Sequence, residues 1–206
     1  AQPVNLFLAG VFDALAKCLE IKHRYQEGDE VYPMGLDYAY AMAKRSFAVL
    51  TEKAESCLQA MAKGEITKEF ENVIFTAIAA TGVISGIARG SNQTALAHKF
   101  YEMTRRLFPE SARPYLHGEI VGVGLLLQNH YNGEEQSNEY LLALMKQYEM
   151  PCCAADVGVE MSDEAFEEYY SRICNSSAID PENADMCKRF RESLTYFWNL
   201  GRGENK

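Results

Sequence analysis

Three residues of this chain stand where their chemistry is out of place. Asp13 lies within LFLAGVFDALAKCLE with apolar neighbours on both sides. His98 sits among alanines and a leucine in ALAHKFYE, and His117 stands at the threshold of the most apolar run, LHGEIVGVGLLL. A carboxylate carried into an apolar helix costs free energy unless a cation or several donors compensate it. Lys17, one turn on, offers such compensation as an i,i+4 pair of opposite sign on the helix surface. His98 falls off the stripe Leu96, Phe100, Met103 and Leu107, toward Thr94 and Tyr101, where a histidine is either a satisfied, partly buried side chain or a ligand. Glycines 118, 122 and 124 after His117 let other backbones come close. One Asp and two His from three helices form a recognised ligand set for a catalytic divalent metal, with coordination positions open for water or substrate. Spacing leaves both readings open, since convergence in space is not written in it. His23 and His130 lie beside helix ends in polar surroundings and are assigned to the surface.

The elements that must position these residues are helical. The first pattern runs from about Val4 to Tyr25. Pro33 suits a first turn, and a long pattern continues from Met34 to Lys63, where Gly64 supplies a C-terminal cap. Thr67 caps a third helix in which Phe70, Val73, Ile74, Ile78, Ile84 and Ile87 recur at spacings of three and four with little charge, which predicts a central position. Gly82, Gly86 and Gly90 interrupt or end it. A helix from about Asn92 to Phe108 stops at Pro109, another begins near His117, and further helices are expected near 137–148, 162–174 and 183–199. Roughly eight helices and no convincing alternating strand predict an all-α helical bundle filling residues 1–206. The tail GRGENK reads as disordered.

Composition narrows the function classes. At 206 residues and 48% hydrophobic content the chain can bury a real core. The balance of 20 Lys+Arg against 29 Asp+Glu, a formal net charge of -9, opposes a nucleic-acid partner, because phosphate binding is driven by cationic side chains. The six cysteines are scattered without a C-x-x-C spacing and read as reduced thiols of a cytoplasmic protein. The adjacent Cys152 and Cys153 read as small, half-buried residues after Pro151. The apolar run at the N-terminus is broken by Asp13 and Lys17 and has no basic leader, so neither a signal peptide nor a membrane span is expected.

Taken together and in this order, AGVFDALAKCLE, ALAHKFYE and LHGEIVGVG resemble the three metal-site segments of the iron-containing alcohol dehydrogenase and glycerol dehydrogenase superfamily, which also includes 3-dehydroquinate synthases. The likeness extends through the intervening helices and the PCCAADVGV segment. It implies that Asp13, His98 and His117 bind one divalent ion. The iron-type enzymes usually place a fourth ligand, histidine, where this chain has Lys17. The resemblance is therefore to the glycerol dehydrogenase branch, with three protein ligands and usually zinc. The segment before the first histidine, SGIARGSNQTALAH, departs from the glycine-rich, aromatic-bearing pattern of that branch. Its Arg89 and Asn92 leave room for a carboxylate-bearing substrate that an arginine clamps through paired hydrogen bonds.

Enzymes of this type have an N-terminal α/β domain that binds the dinucleotide and a C-terminal helical domain that holds the metal. The chain carries no strand followed by a G-x-G-x-x-G turn. It is expected to be the helical domain without its partner, inactive alone, with NAD or NADP bound mainly by the other domain. The function implied is metal-assisted hydride transfer from a small alcohol, polyol or hydroxy acid, with no catalytic base required of this chain, in a homo-oligomeric full-length enzyme. The alternatives are a 2-hydroxy acid dehydrogenase or 2-oxo acid reductase of the same family, a dehydroquinate synthase-like enzyme, and a helical domain that has lost its metal.

Overall fold

A computed structural model describes residues 4–23, 34–88 and 95–203, and among them the secondary structure is helical throughout. Helix α1 (Val4–Glu20) ends in a 3-10 turn, Ile21–His23. The long α2 (Met34–Lys63) follows, closed by Gly64 at φ +69, a left-handed conformation that glycine adopts without strain. Thr67 caps α3 (Lys68–Phe75) by accepting from the Phe70 amide at 3.2 Å. A π-helical segment, Thr76–Ala80, joins α3 to α4 (Thr81–Ala88). Then come α5 (Leu96–Leu107), the single turn α6 (Pro109–Ala112), α7 (His117–Asn132), α8 (Gln136–Gln147), α9 (Asp163–Cys174) and α10 (Ala184–Arg202).

The helix at the centre is α7. Its residues Ile120 to Asn129 are all buried, and it packs against α1, α5, α8 and α10. A helix can be approached from every side only if its neighbours find room, and glycine provides it at two places. A Cβ on Gly118 would lie 1.8 Å from the Ala9 carbonyl oxygen of α1, and a Cβ on Gly124 would lie 2.8 Å from the Ala97 carbonyl oxygen of α5. Backbone therefore meets backbone on two faces of α7, and the interior closes around Phe12, Leu15, Leu19, Phe100, Leu125 and Phe197.

The expectation of a central third helix is overturned. The run from α3 to α4 turns one face, Val73, Thr76, Thr81, Ile84 and Ala88, onto α1 and α2, and leaves Ile78 70% and Phe75 65% exposed. Its apolar residues ring the helix instead of forming a stripe, so apolar content overstated its burial. By length and composition this 21-residue run, Lys68–Ala88, is apolar enough to cross a membrane. The surface assignments of His23 and His130 are also corrected. His23 is buried, stacked on Tyr131 at 4.5 Å, with Nε2 donating to the Ala178 carbonyl at 2.7 Å. His130 is half-buried against Tyr196, and burial lowers its pKa.

Close packing at α7 generates a test. Gly118→Ala and Gly124→Ala are each expected to lower unfolding stability by about 1–3 kcal/mol or more, from overpacking against backbone that cannot move aside. Gly10→Ala, whose Cβ meets nothing within 4 Å, is expected to raise it by up to ~1 kcal/mol through helix propensity. Urea denaturation midpoints of the three variants check the contrast.

Candidate metal centre

The two close approaches to α7 bring three distant pieces of sequence to one point. Asp13 comes from the middle of α1, His98 from the first turn of α5, and His117 is the first residue of α7. The Asp13 Oδ1 lies 3.1 Å from His117 Nε2 and 3.3 Å from His98 Nε2, and one ligand atom from each of the three residues falls within 4.8 Å of the others. Among the described residues this is the group of His, Cys, Asp and Glu side chains able to share one ion. Lys17 pairs with Asp13 as well, through Oδ2. The Lys17 pair and a ligand role for Asp13 are therefore compatible, each using a different oxygen.

Each side chain is held by its own support. His117 opens α7, whose first turn is secured by Glu119: its carboxylate accepts from the Leu116 amide at 2.6 Å. The turn before it is pinned by Arg105, which donates to the carbonyls of Ala112 at 2.8 Å and Tyr115 at 2.6 Å. Tyr101, one helical turn along α5 from His98, packs edge-on against the His117 ring at 4.2 Å. The His117 side chain is 44% exposed against 11% for His98, so the site opens to solvent on the α7 side and is deepest at His98.

Sequence reasoning gave Glu20 no role, and Glu20 is what fixes His98. Its carboxylate is fully buried. One oxygen accepts from the backbone amides of Ala95 at 2.8 Å and His98 at 2.9 Å, and the other accepts from His98 Nδ1 at 2.5 Å. Ala95 precedes α5 and has no side-chain oxygen with which to cap it, so a carboxylate from α1 caps the helix instead. With Nδ1 committed to Glu20, Nε2 is the nitrogen turned toward Asp13. Within α1, Glu20 lies two helical turns from Asp13 on the face that also carries Lys17, and that spacing alone names no partner for it. Arg89 and Asn92, the departures noted before His98, lie outside the described residues.

The charges follow the geometry. Burial by itself would raise the Asp13 carboxyl, but hydrogen bonds from His117, His98 and Lys17, together with the Lys17 charge, hold it well below the usual carboxylate range. Burial by itself would lower His98. The carboxylates of Asp13 and Glu20, one on each ring nitrogen, outweigh it and raise the metal-free ring to about 9.

No family model matches the chain. It is 25% identical over 163 residues to the hydroxycarboxylate dehydrogenase A of Escherichia coli, covering 79% of this chain and 44% of that protein. It is 24% identical over 180 residues to the glycerol dehydrogenase of Thermotoga maritima, covering 85% of this chain and 48% of that one. The chain thus spans about half the length of the curated relatives it matches. Among solved structures, a probable glycerol dehydrogenase from Sinorhizobium meliloti superposes with a TM-score of 0.72 at 20% identity, covering 98% of this chain and 57% of that one. The glycerol dehydrogenase from Schizosaccharomyces pombe gives 0.68 at 18%, covering 98% and 54%. These relatives are members of the iron-containing alcohol dehydrogenase superfamily, and the fold of this chain matches the all-α C-terminal domain of glycerol dehydrogenase-like enzymes.

The support beneath His98 is testable without any metal. Glu20→Ala leaves two backbone amides and a ring nitrogen unpaired in the interior, and is expected to cost about 3–5 kcal/mol. Lys17→Ala, which removes a partly exposed pair, is expected to cost no more than about 1 kcal/mol. Guanidinium unfolding of the two variants with chelator present measures both, and equal losses would contradict the capping role.

Proposed function

We propose that this chain is the metal-binding helical domain of an NAD(P)-linked alcohol or polyol dehydrogenase, with Asp13, His98 and His117 holding one divalent ion, zinc in preference to iron. The observation that carries this reading is the meeting of one carboxylate oxygen and two imidazole nitrogens from three helices within 4.8 Å. The donor set suits zinc, which takes histidine nitrogen and carboxylate oxygen and, with three protein ligands, keeps a position open. A histidine ligand whose other nitrogen donates to a buried carboxylate is the usual supporting arrangement for such a site, and Glu20 supplies it.

When bound, the ion supplies Lewis acidity toward a substrate hydroxyl oxygen, which favours departure of hydride to a nicotinamide held by an α/β domain. The residues of this chain do the positioning. Glu20 keeps the His98 ring from turning, Tyr101 and the Arg105-pinned turn keep His117 at the rim, and Lys17 occupies Asp13 Oδ2 so that Oδ1 faces the histidines. A 2-hydroxy acid is the second substrate reading. It is favoured by the name of the E. coli relative and by the charge that Arg89 brings to the stretch before His98.

Several outcomes are expected. Protein purified without chelator binds about one zinc per chain by elemental analysis, as a single three-ligand site would. His117→Ala removes most of that metal with the helical circular dichroism unchanged, since the side chain sits at the rim; a variant that keeps its zinc would refute the ligand assignment. Because the metal-free His98 ring is protonated below about 9 and an ion needs its neutral form, binding displaces a proton. Zinc affinity is therefore expected to rise about tenfold per pH unit between pH 6 and 8, levelling as the pH approaches 9, and calorimetry in buffers of different ionisation enthalpy reads the released proton. The 206-residue chain mixed with zinc, NAD or NADP and a panel of polyols, alcohols and 2-hydroxy acids is expected to yield no reduced cofactor. Sustained turnover by this chain would refute the division of labour with an α/β domain.

A further inference from the structure

Helices α9 and α10 pack side by side in opposite directions, and their register can be followed residue by residue. Arg191 forks onto Glu167 with two bonds of 3.0 Å and lies over the Tyr170 ring at 4.0 Å, while Tyr170 stacks on Phe190 at 5.6 Å. Each step toward the C-terminus of α9 is thus matched by a step toward the N-terminus of α10. One turn past Tyr170 is Cys174, the last residue of α9. One turn before Phe190 and Arg191 is Cys187, in the first turn of α10. The register sets Cys174 opposite Cys187 across the two helices.

Their surroundings differ in a useful way. Cys174 is buried, whereas Cys187 is half-exposed, with its sulfur 3.6 Å from the Asp180 carbonyl and 3.8 Å from that of Pro181. Both sit at helix ends beside the 175–183 connection. Nothing in the metal centre uses them.

We propose that Cys174 and Cys187 form an oxidisable dithiol site whose oxidant is a small soluble disulfide. The accessible Cys187, as thiolate, attacks one sulfur of the disulfide RSSR, forming a mixed disulfide and releasing one thiolate RS⁻. Cys174, as thiolate, then attacks the Cys187 sulfur, closing the intramolecular bond and releasing the second RS⁻. The two protein thiols lose two electrons and two protons, and RSSR becomes two RSH. The closed bond staples α9 to α10 across the connection whose Ala178 carbonyl holds His23 at the end of α1.

The test uses the intact chain in buffers of oxidised and reduced glutathione, quenched in acid and counted for thiols after denaturation. The count is expected to fall from the six cysteines of the sequence by two in oxidised buffer and to return in reduced buffer. Arg172 and Lys188 bound a tryptic peptide, 173–188, that contains both cysteines and no other basic residue, so the bond appears there as the loss of two hydrogens within one peptide. Cys187→Ser is expected to keep all its remaining thiols, and Cys152→Ser to oxidise as the parent does. An unchanged count of six, a glutathione adduct left on Cys187, or a bond mapped to Cys152 and Cys153 or between chains would overturn the proposal.

Discussion

The fully buried carboxylate of Glu20 is the interaction on which the rest of the site depends. An ionised carboxylate in an apolar interior is tolerable only when donors surround it, and here three converge: the amides of Ala95 and His98 and the imidazole Nδ1 of His98. The same three bonds do three things at once. They fasten the end of α1 to the start of α5, cap a helix whose own N-terminal residue is an alanine, and fix which nitrogen of His98 points outward.

Around that anchor the glycines of α7 set the distances. Because Gly118 and Gly124 carry no Cβ, α1 and α5 lie against α7 with backbone in contact, and His117 is thereby drawn to the oxygen of Asp13 that His98 already faces. The result is graded in exposure, from Glu20 in the interior through His98 to His117 at the rim. Rigidity sits at the depth and access at the edge, an arrangement suited to an ion that must be held on one side and reached from the other.

How much of this was legible in the sequence depended on whether a local rule decided the matter. Gly64 after Lys63 and Thr67 before Lys68 mark helix limits by capping chemistry, and those boundaries agree with the structure to a residue. Asp13, His98 and His117 stood out because each opposed its surroundings. Burial was harder to read. The run from Lys68 to Ala88 is apolar on all sides, and only the packing of α1 and α2 decides which face is covered. His23 looked exposed because its neighbours in sequence are polar, yet the residues that bury it, Tyr131, Gln128 and Ala178, arrive from more than a hundred positions away. Glu20 was overlooked for the same reason: its partners belong to α5, and no spacing within α1 announces them.

The central claim is that Asp13, His98 and His117 share one ion, with His98 aimed by Glu20. Anomalous diffraction at the zinc edge, on crystals grown with stoichiometric zinc, tests it most directly. The account predicts a single peak about 2.0–2.2 Å from an Asp13 oxygen and from the Nε2 atoms of His98 and His117, with His98 Nδ1 still bonded to Glu20. A peak coordinated elsewhere, or one that leaves out either histidine, would contradict it.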